Sequence, residues 1–334
     1  MYLGQITGEI EMGGYRLNGF HSCEIKQSVH QIVQAAKIEI PASAIMRNND
    51  KKEAVQVADK IKEGDPITIA FGYDYKNAIQ FTGYIRRIDK SIPVVLECED
   101  AVYLFRKTNI KKTFNSSLKE VLNFLVSEVN KVFNAGLSVV ENVPVVEVKN
   151  FVVNDQSALW ALQQLKDWYP MFSIRLKGNR LHAGLLYNAN VEKIVKYAIN
   201  GPANNTINVS ELKYNTVTQT VKVIWEITKP DGTIEKKQFG DSNGELVVKK
   251  KINGIVDNET LRKMADSEIT QRTYIGFKGS FETFLIPEAQ PDMIAHIDDP
   301  QFNRNGNYYI GTVTKKCDTA GGIRQQLDID FKLR

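Results

Sequence analysis

Long hydrophobic runs are scarce in this sequence of 334 residues. The longest apolar stretches, such as residues 67–71 and 143–146, are far shorter than the ~20 residues that a transmembrane helix needs. The N-terminal residues 1–5 also lack the basic start and the apolar core of a secretion signal. We therefore expect no membrane span, and we expect synthesis in the cytoplasm.

Cysteine and histidine are also scarce. Cys23, Cys98 and Cys317 are far apart and odd in number, which argues against a disulfide framework or a zinc site and favours unpaired, half-buried strand residues. None of the four histidines lies in a metal-binding motif. His296 and Asp298 would share a strand face, but no third ligand is near them in the sequence. We predict no bound metal and no cofactor.

The usual signatures of catalysis are missing as well. The sequence contains no nucleophile elbow, no phosphate-binding loop and no dinucleotide fingerprint. Glu97, Glu99 and Asp100 could be imagined as a carboxylate pair for glycan cleavage, but acids at strand ends are common on surfaces. The formal net charge of +4 is too mild to indicate a nucleic-acid-binding face. We predict no catalytic residue and no enzymatic activity.

Alternating polar and apolar residues dominate the chain as far as about residue 106, and this period is typical of strands with one buried face. A strand pair is predicted over residues 20–25 and 32–40. A three-stranded meander is predicted over residues 67–71, 79–88 and 94–96. This part is predicted to be an all-β domain.

The spacing of the apolar residues changes after Thr108. Ser117 and Glu120 have the spacing of a capping box, and a helical pattern follows until Gly136. A second helix is predicted after Asp155 and ends at Pro170. A tight hairpin over residues 171–176 and 180–185 follows, so this part is predicted to be a compact α+β module.

Strand alternation returns near residue 191 and is interrupted by one helix over residues 258–272. Strands are predicted over residues 209–214, 217–228, 233–239, 277–285, 308–314 and 326–333, with a turn at residues 230–232. The predicted fold class is therefore α+β, mostly β. Residues 1–108 and 191–334 are predicted to form two similar small β-barrel domains, and residues 109–190 the module between them. Residues 209–228 could complete either barrel.

A short internal similarity links the two ends. Residues 81–85 and 309–313 both begin with an aromatic residue, Phe81 or Tyr309, and have a glycine two positions later, Gly83 or Gly311. A glycine inside a strand usually marks a bulge or a sharp bend, as at a barrel corner. The two segments indicate two similar barrels, unless short strands resemble each other by chance.

Several segments, taken in order, resemble the phage late-control D-type baseplate hub family, which includes the hub halves of type VI secretion spike proteins. They are residues 61–69 and 81–85, residues 157–162, 172–175 and 179–181, and the tail from 306–313 to 321–327. The resemblance lies in their order, since no single motif is specific.

The resemblance implies a structural protein with two related barrels per chain and a trimeric ring that adapts a sixfold tail tube to a threefold spike. Phe81, Gly83, Tyr309 and Gly311 would lie at barrel corners, and Gly321 with Gly322 would form the turn before the last strand. The implied location is the baseplate of a virion tail, assembled in the bacterial cytoplasm.

The partners implied by the resemblance are two further copies of the chain, a tail tube protein, tape-measure and baseplate wedge proteins, and a spike protein. The spike is expected to be a separate protein because no spike-like segment follows the last strand. DNA or an effector would pass through the pore without specific binding.

Two other functions fit the sequence less well. A carbohydrate- or cell-wall-binding module of a tail tip would use exposed aromatics in one cleft, with Trp160, Trp168 and Trp225 as the candidates. A cell-wall hydrolase would need clustered acids or a Cys/His pair.

Overall fold

A computed structural model of the protein describes residues 4–48, 51–185, 193–229, 231–253 and 255–333. Within these ranges the chain is mostly strand with four α-helices, which confirms the predicted α+β class rich in strands. The predicted boundary between residues 190 and 191, and Pro230 of the predicted turn, lie outside the described residues.

The first part of the chain is built of strands. They are β1 (Ile6–Met12), β2 (Tyr15–Leu17), β3 (Ser22–Ser28), β4 (Ala35–Ile40), β5 (Ser43–Asn48), β6 (Lys51–Gln56), β7 (Pro66–Tyr73), β8 (Lys76–Asp89) and β9 (Val94–Glu99), with a 3-10 turn at Val57–Asp59. Apolar residues in alternate positions bury one face, as Cys23 and Ile25 do in β3. The predicted pair is β3 with β4, and the predicted meander is β7, β8 and β9, all antiparallel.

Helices enter the middle part. Its elements are α1 (Val102–Arg106), β10 (Asn109–Ser117), α2 (Leu118–Phe133), β11 (Ser138–Val139), β12 (Val146–Ser157), α3 (Ala158–Trp168), β13 (Phe172–Lys177) and β14 (Arg180–Leu185). The Ser117 hydroxyl accepts from the Glu120 N–H at 3.3 Å, and the Glu120 carboxylate accepts from the Ser117 N–H at 3.1 Å, which confirms the capping box. α2 ends before Gly136 because Asn134 takes a left-handed backbone with φ 50°.

The last part returns to strands around one helix. Its elements are β15 (Ile194–Ala198), β16 (Thr206–Asn208), β17 (Leu212–Asn215), β18 (Val221–Thr228), β19 (Ile234–Gly240), β20 (Leu246–Asn253), β21 (Ile255–Val256), α4 (Asn258–Arg272), β22 (Gly276–Thr283), β23 (Ile294–Asp299), β24 (Arg304–Asp318) and β25 (Gly322–Lys332). α4 lies where the sequence predicts a helix.

One sheet of fourteen strands contains strands from both ends of the chain. Its order is β16-β22-β25-β24-β3-β4-β9-β8-β7-β1-β2, and β15, β17 and β23 pair beside this path. The ends are joined where β24 pairs with β3. Two separate closed barrels stay a prediction, since the described pairing forms a single continuous sheet.

The two ends repeat one topology. We call β1, β3, β4, β7, β8 and β9 the first unit, and β15, β16, β22, β23, β24 and β25 the second unit. In the first unit the neighbours run β1-β7-β8-β9-β4-β3, and in the second they run β15-β23-β24-β25-β22-β16, in the same chain order. Four of the five pairings agree in direction, and only β15 with β23 is parallel where β1 with β7 is antiparallel. The similar segments at Gly83 and Gly311 lie in β8 and β24, which are equivalent strands.

Three main cores lie under these elements. The first unit surrounds one core, which also takes in Leu285, Cys317 and Ile323 of the second unit or its loops. The second unit surrounds another. The third lies under α1, α2 and α3 and also includes residues of β18, β20 and α4, so these three elements pack with the middle module although they follow it by many residues. The strand at 221–228 therefore completes neither end, and the domain boundaries at 108 and 190 stay predictions.

Candidate functional site: the junction between the units

The junction of the two units is a strand pair with polar and apolar rows. β3 and β24 run antiparallel, with Thr312 opposite Ser28 and Cys317 opposite Cys23. The hydroxyls of Ser28 and Thr312 are 2.8 Å apart and buried. Since backbone bonds and a shared core hold the pair, the two units form one continuous body at this place.

A buried lysine lies beside this pair. Lys315 is 1% exposed, and its Nζ donates to Gln80 Oε1 and to Glu288 Oε1, each at 2.6 Å. Burial lowers the pKa of Lys315, and the Glu288 carboxylate acts in the opposite direction. The cation thus connects β8 of the first unit, β24 of the second and the loop before β23.

A second charged cluster ties the middle module to the same place. Asp292 accepts from Arg175 Nη2 at 2.7 Å and from Tyr309 Oη at 2.5 Å, and it also pairs with Lys177. Burial alone would raise the pKa of Asp292, but the charges of Arg175 and Lys177 and the bond from Tyr309 hold it below its ordinary value. Asp292 is therefore ionised at neutral pH and acts as the shared acceptor of the cluster.

A polar cleft of about 1180 Å³ opens between the hairpin of β13 and β14 and the loop before β23. Its walls carry the cations Arg175, Lys177, Arg180 and Lys193. Burial, and then the charges of Lys177 and Arg175, lower the pKa of His182 in the same wall. The described lining carries these four cations and three carboxylates, Glu141, Glu288 and Asp292, and Arg175 and Lys177 are already paired with Asp292. The cleft is therefore polar, with only a small excess of positive charge.

The predicted site residues fall into two separate groups. Phe81 is buried in the core of the first unit, and a Cβ added at Gly83 would lie 2.1 Å from the Glu99 backbone oxygen. Tyr309 is buried at the junction, where its ring stacks on Phe331 with centroids 5.5 Å apart.

Gly311 lies in β24 where the register with β25 shifts, and a Cβ there would be 2.2 Å from the Asp330 carboxylate. Gly321 lies in the turn before β25, and Gly322 begins that strand with φ +78°. Both strand glycines are thus close-contact positions, and the barrel-corner roles stay predictions.

Other side chains that the sequence suggested as sites have structural partners. Glu99 accepts from Arg106 at 2.7 and 3.0 Å, and Glu97 pairs with Arg86. Trp225 is fully buried, and Trp160 and Trp168 pack against the core of the middle module. The cysteines Cys23, Cys98 and Cys317 are free, as predicted, and they are buried where half-buried positions were expected.

No group of histidines, cysteines and acids in the described ranges could hold a metal ion. None of the described helices is long and apolar enough to cross a membrane.

Sequence reasoning missed Lys315, Gln80 and Asp292. For Lys315 a signal existed, because strand alternation places this cation on the apolar face that carries Val313 and Cys317. The other two come from loops or strands whose place at the junction depends on tertiary packing.

Comparison with models of protein families gives no match, and comparison with the sequences of curated proteins gives none either. The fold, in contrast, matches solved structures along the whole chain. A tail protein from Neisseria meningitidis MC58 matches with a TM-score of 0.65 at 12% identity, over 98% of this chain and 96% of the other. The 43 kDa tail protein of prophage MuSo2 from Shewanella oneidensis matches with a TM-score of 0.63 at 14% identity, over 97% of this chain and 98% of the other.

A third match is a component of the type VI secretion system of E. coli, described as structurally similar to two tail proteins of bacteriophage T4. Its TM-score is 0.58 at 8% identity, over 97% of this chain and 78% of the other. The chain therefore has the fold of phage tail proteins and of a related secretion component.

Proposed function

We propose that the protein is a structural hub of the baseplate of a contractile phage tail or a related injection machine. Three copies form a ring that contacts a sixfold tail tube on one side and a threefold spike on the other. The single observation that carries this proposal is the repeated topology of the first and second units within one chain. Three chains with two similar units each present six similar surfaces, which suits a partner with sixfold symmetry.

The fold shared with tail proteins supports a place in the tail, and the continuous β3-β24 pair supports a rigid ring segment. Partners in this proposal are the tube protein, a separate spike, and tape-measure and baseplate wedge proteins. DNA or an effector passes through the pore without specific recognition. The protein is made and assembled in the bacterial cytoplasm and ends in the virion tail baseplate.

The cleft gives little support to a sugar-binding function. Tyr309 is the only aromatic among its described lining residues, and it is 1% exposed with its hydroxyl on Asp292. Stacking on a sugar requires an accessible ring face. We therefore propose no carbohydrate-binding role for the cleft.

A hydrolytic function is also unsupported. A general acid of a glycosidase needs a carboxyl that has a raised pKa and that a substrate can reach. The pKa of Asp100 is raised, but this carboxyl is buried and accepts from the Val102 N–H, and the pKa of Asp292 in the cleft lies below its ordinary value. Glu288 is bound to Lys315. We propose that the protein has no catalytic role.

The trimer can be measured directly. Size-exclusion chromatography with light scattering on the full chain, alone and with the tube and spike proteins encoded beside it, should give a complex that contains three times the chain mass of 37.8 kDa. Electron microscopy of that complex should show a ring with a central pore. A chain that stays monomeric even with both partners would contradict the proposed function.

A further inference from the structure

Two of the three cysteines meet at the junction of the units. Cys317 in β24 lies directly opposite Cys23 in β3. Directly opposite residues of an antiparallel pair project to the same face of the sheet, and their Cα atoms are about 4.5 or 5.5 Å apart. Both separations lie within the range of about 4.4–6.8 Å that a disulfide spans. The register therefore sets these two side chains at a spacing that a disulfide can bridge without a change in strand pairing.

Both side chains enter the same core. Cys23 is 3% exposed and Cys317 is 4% exposed, and both belong to the core of the first unit. Burial raises the pKa of the Cys317 thiol to about 12. Burial also raises the pKa of Cys23, and the neighbouring Cys317 adds to this effect. Both groups are thus protonated thiols at neutral pH, and the protonated thiol is the unreactive form.

The third cysteine shares this core but not the contact. Cys98 in β9 lies opposite Ala36 in β4, and Ala36 lies opposite Ile25 in β3. A whole strand therefore separates Cys98 from Cys23, and since neighbouring strands are about 4.8 Å apart, the two Cα atoms are roughly 10 Å or more apart. That distance exceeds the limit of about 7 Å for a disulfide. The register thus singles out Cys23 and Cys317.

The cysteine pair lies next to the end of the junction. Only Ser22 and Asp318 pair beyond it along these two strands. The turn that contains Gly321 comes directly after β24. Strand ends open locally at a lower cost in free energy than strand centres, because fewer contacts have to break. Local opening at this end exposes the thiols to a small oxidant, whereas the closed junction protects them.

We infer that Cys23 and Cys317 are a site of oxidative modification, where a cross-strand disulfide joins the first and second units covalently. One cysteine thiolate attacks a sulfur atom of a low-molecular-weight disulfide and releases one thiolate, and the second cysteine thiolate then attacks the protein-bound sulfur and releases the other. The small disulfide gains two electrons from the protein pair, and the two cysteine protons pass to the released thiolates.

The compartment decides which form is present. Thiol pools keep such a pair reduced in the cytoplasm, and oxidising surroundings favour the disulfide. The bond therefore forms after the particle leaves the cell in which it was assembled. This timing rests on the proposed function, whereas the bond itself rests on the register of β3 with β24.

Oxidised glutathione tests the site on the full chain after removal of dithiothreitol. The product should be a single chain that migrates faster on a non-reducing denaturing gel, because a bond between positions 23 and 317 closes most of the chain into a loop. Peptide mass spectrometry should find the Cys23 and Cys317 peptides linked. The urea midpoint should rise by on the order of 1 M, since the loop constrains the unfolded chain. Dithiothreitol should reverse all three changes.

Single cysteine variants are matched controls, because each one leaves a different pair. Cys98→Ala keeps the inferred pair and should form the fast band at the wild-type rate. Cys317→Ala leaves Cys23 with Cys98, and Cys23→Ala leaves Cys98 with Cys317, so both should stay reduced. Urea denaturation of the reduced variants checks that they are folded. If one of these two does not fold, the linked peptides of the wild type and of Cys98→Ala still decide the result.

Two outcomes would overturn the site. They are the absence of the bond in both the wild type and Cys98→Ala, and a bond that involves Cys98. Light scattering on the same samples distinguishes this result from that of the proposed function. A chain that forms the bond but stays monomeric with its tube and spike partners contradicts the hub and leaves the site standing. A trimer without the bond does the reverse.

Discussion

Single buried polar residues connect strands of this protein that are far apart in the sequence. Lys315 is separated by 235 positions in sequence from Gln80, whose amide oxygen accepts its hydrogen bond. A buried cation with two acceptors is well satisfied, whereas removal of one partner leaves a desolvated charge. Its position on the inner face of β24 is thus tolerated only because three segments meet there.

Asp100, just before α1, should make stability depend on pH. Burial raises its pKa to about 8, while backbone hydrogen bonds at Val102 and Gln34 act in the opposite direction. A carboxyl with a raised pKa in the folded state contributes stability that is complete below its unfolded-state pKa of about 4 and is lost progressively as the pH rises to about 8. Asp100→Asn keeps a neutral group of the same shape and should remove this loss.

Urea denaturation at pH 5 and at pH 8.5 measures the effect. The wild-type chain should lose roughly 1 to 3 kcal/mol more between these pH values than Asp100→Asn. Asp266→Asn, an exposed carboxyl on α4, should behave like the wild type. Parallel pH profiles for wild type and Asp100→Asn would contradict the burial of a neutral carboxyl.

At the scale of elements, some helices and hairpins follow from local sequence signals, whereas other strands form only through long-range pairing. α2 and α3 both begin at a serine whose hydroxyl accepts from a backbone N–H three residues later. β13 and β14 form a hairpin with a two-residue turn. These elements follow from short stretches of sequence, whereas β16 and β21 contain only two or three residues and depend on their neighbours.

The cap of α2 provides a test at this scale. Ser117→Ala removes the acceptor for the Glu120 N–H and should lower the free energy of unfolding by about 1 kcal/mol. Ser127→Ala, on the exposed face of the same helix, should be neutral or slightly stabilising because alanine favours the helix interior. Chemical denaturation of both variants compares them, and equal effects would show that the cap contributes nothing.

For the whole molecule, the main finding is that one core is formed by segments that are far apart in the sequence. β18, β20 and α4 interrupt the second unit between β17 and β22, yet their apolar side chains complete the core of the middle module. A change in this inserted segment should therefore affect helices that precede it in sequence by many residues.

Trp225 in β18 is suited to test this link, since it is fully buried in that core. Trp225→Ala should destabilise the chain by about 3 to 5 kcal/mol and should increase amide hydrogen exchange in α3, which contacts β20. Trp225→Phe keeps a ring and removes an indole N–H that has no partner among the described side chains, so it should cost much less. Faster exchange confined to β22–β25 would contradict the shared core.

The sequence by itself determined the period of most strands, the start of α2, the hairpin of β13 and β14, and the position of α4. These features depend on side chains within a few residues of each other, such as Ser117 and Glu120. The similarity around Gly83 and Gly311 was also visible in the sequence, although its location in equivalent strands was not.

Only the tertiary structure decided that β24 pairs with β3, that β18, β20 and α4 pack with the middle module, and that Asp292 gathers Arg175, Lys177 and Tyr309. The backbone donors and acceptors of one strand are the same as those of any other, so the pattern along a strand fixes its buried face but not its neighbour. The choice of neighbour depends on how whole surfaces fit together. That is why the junction between the two units emerged only from the fold.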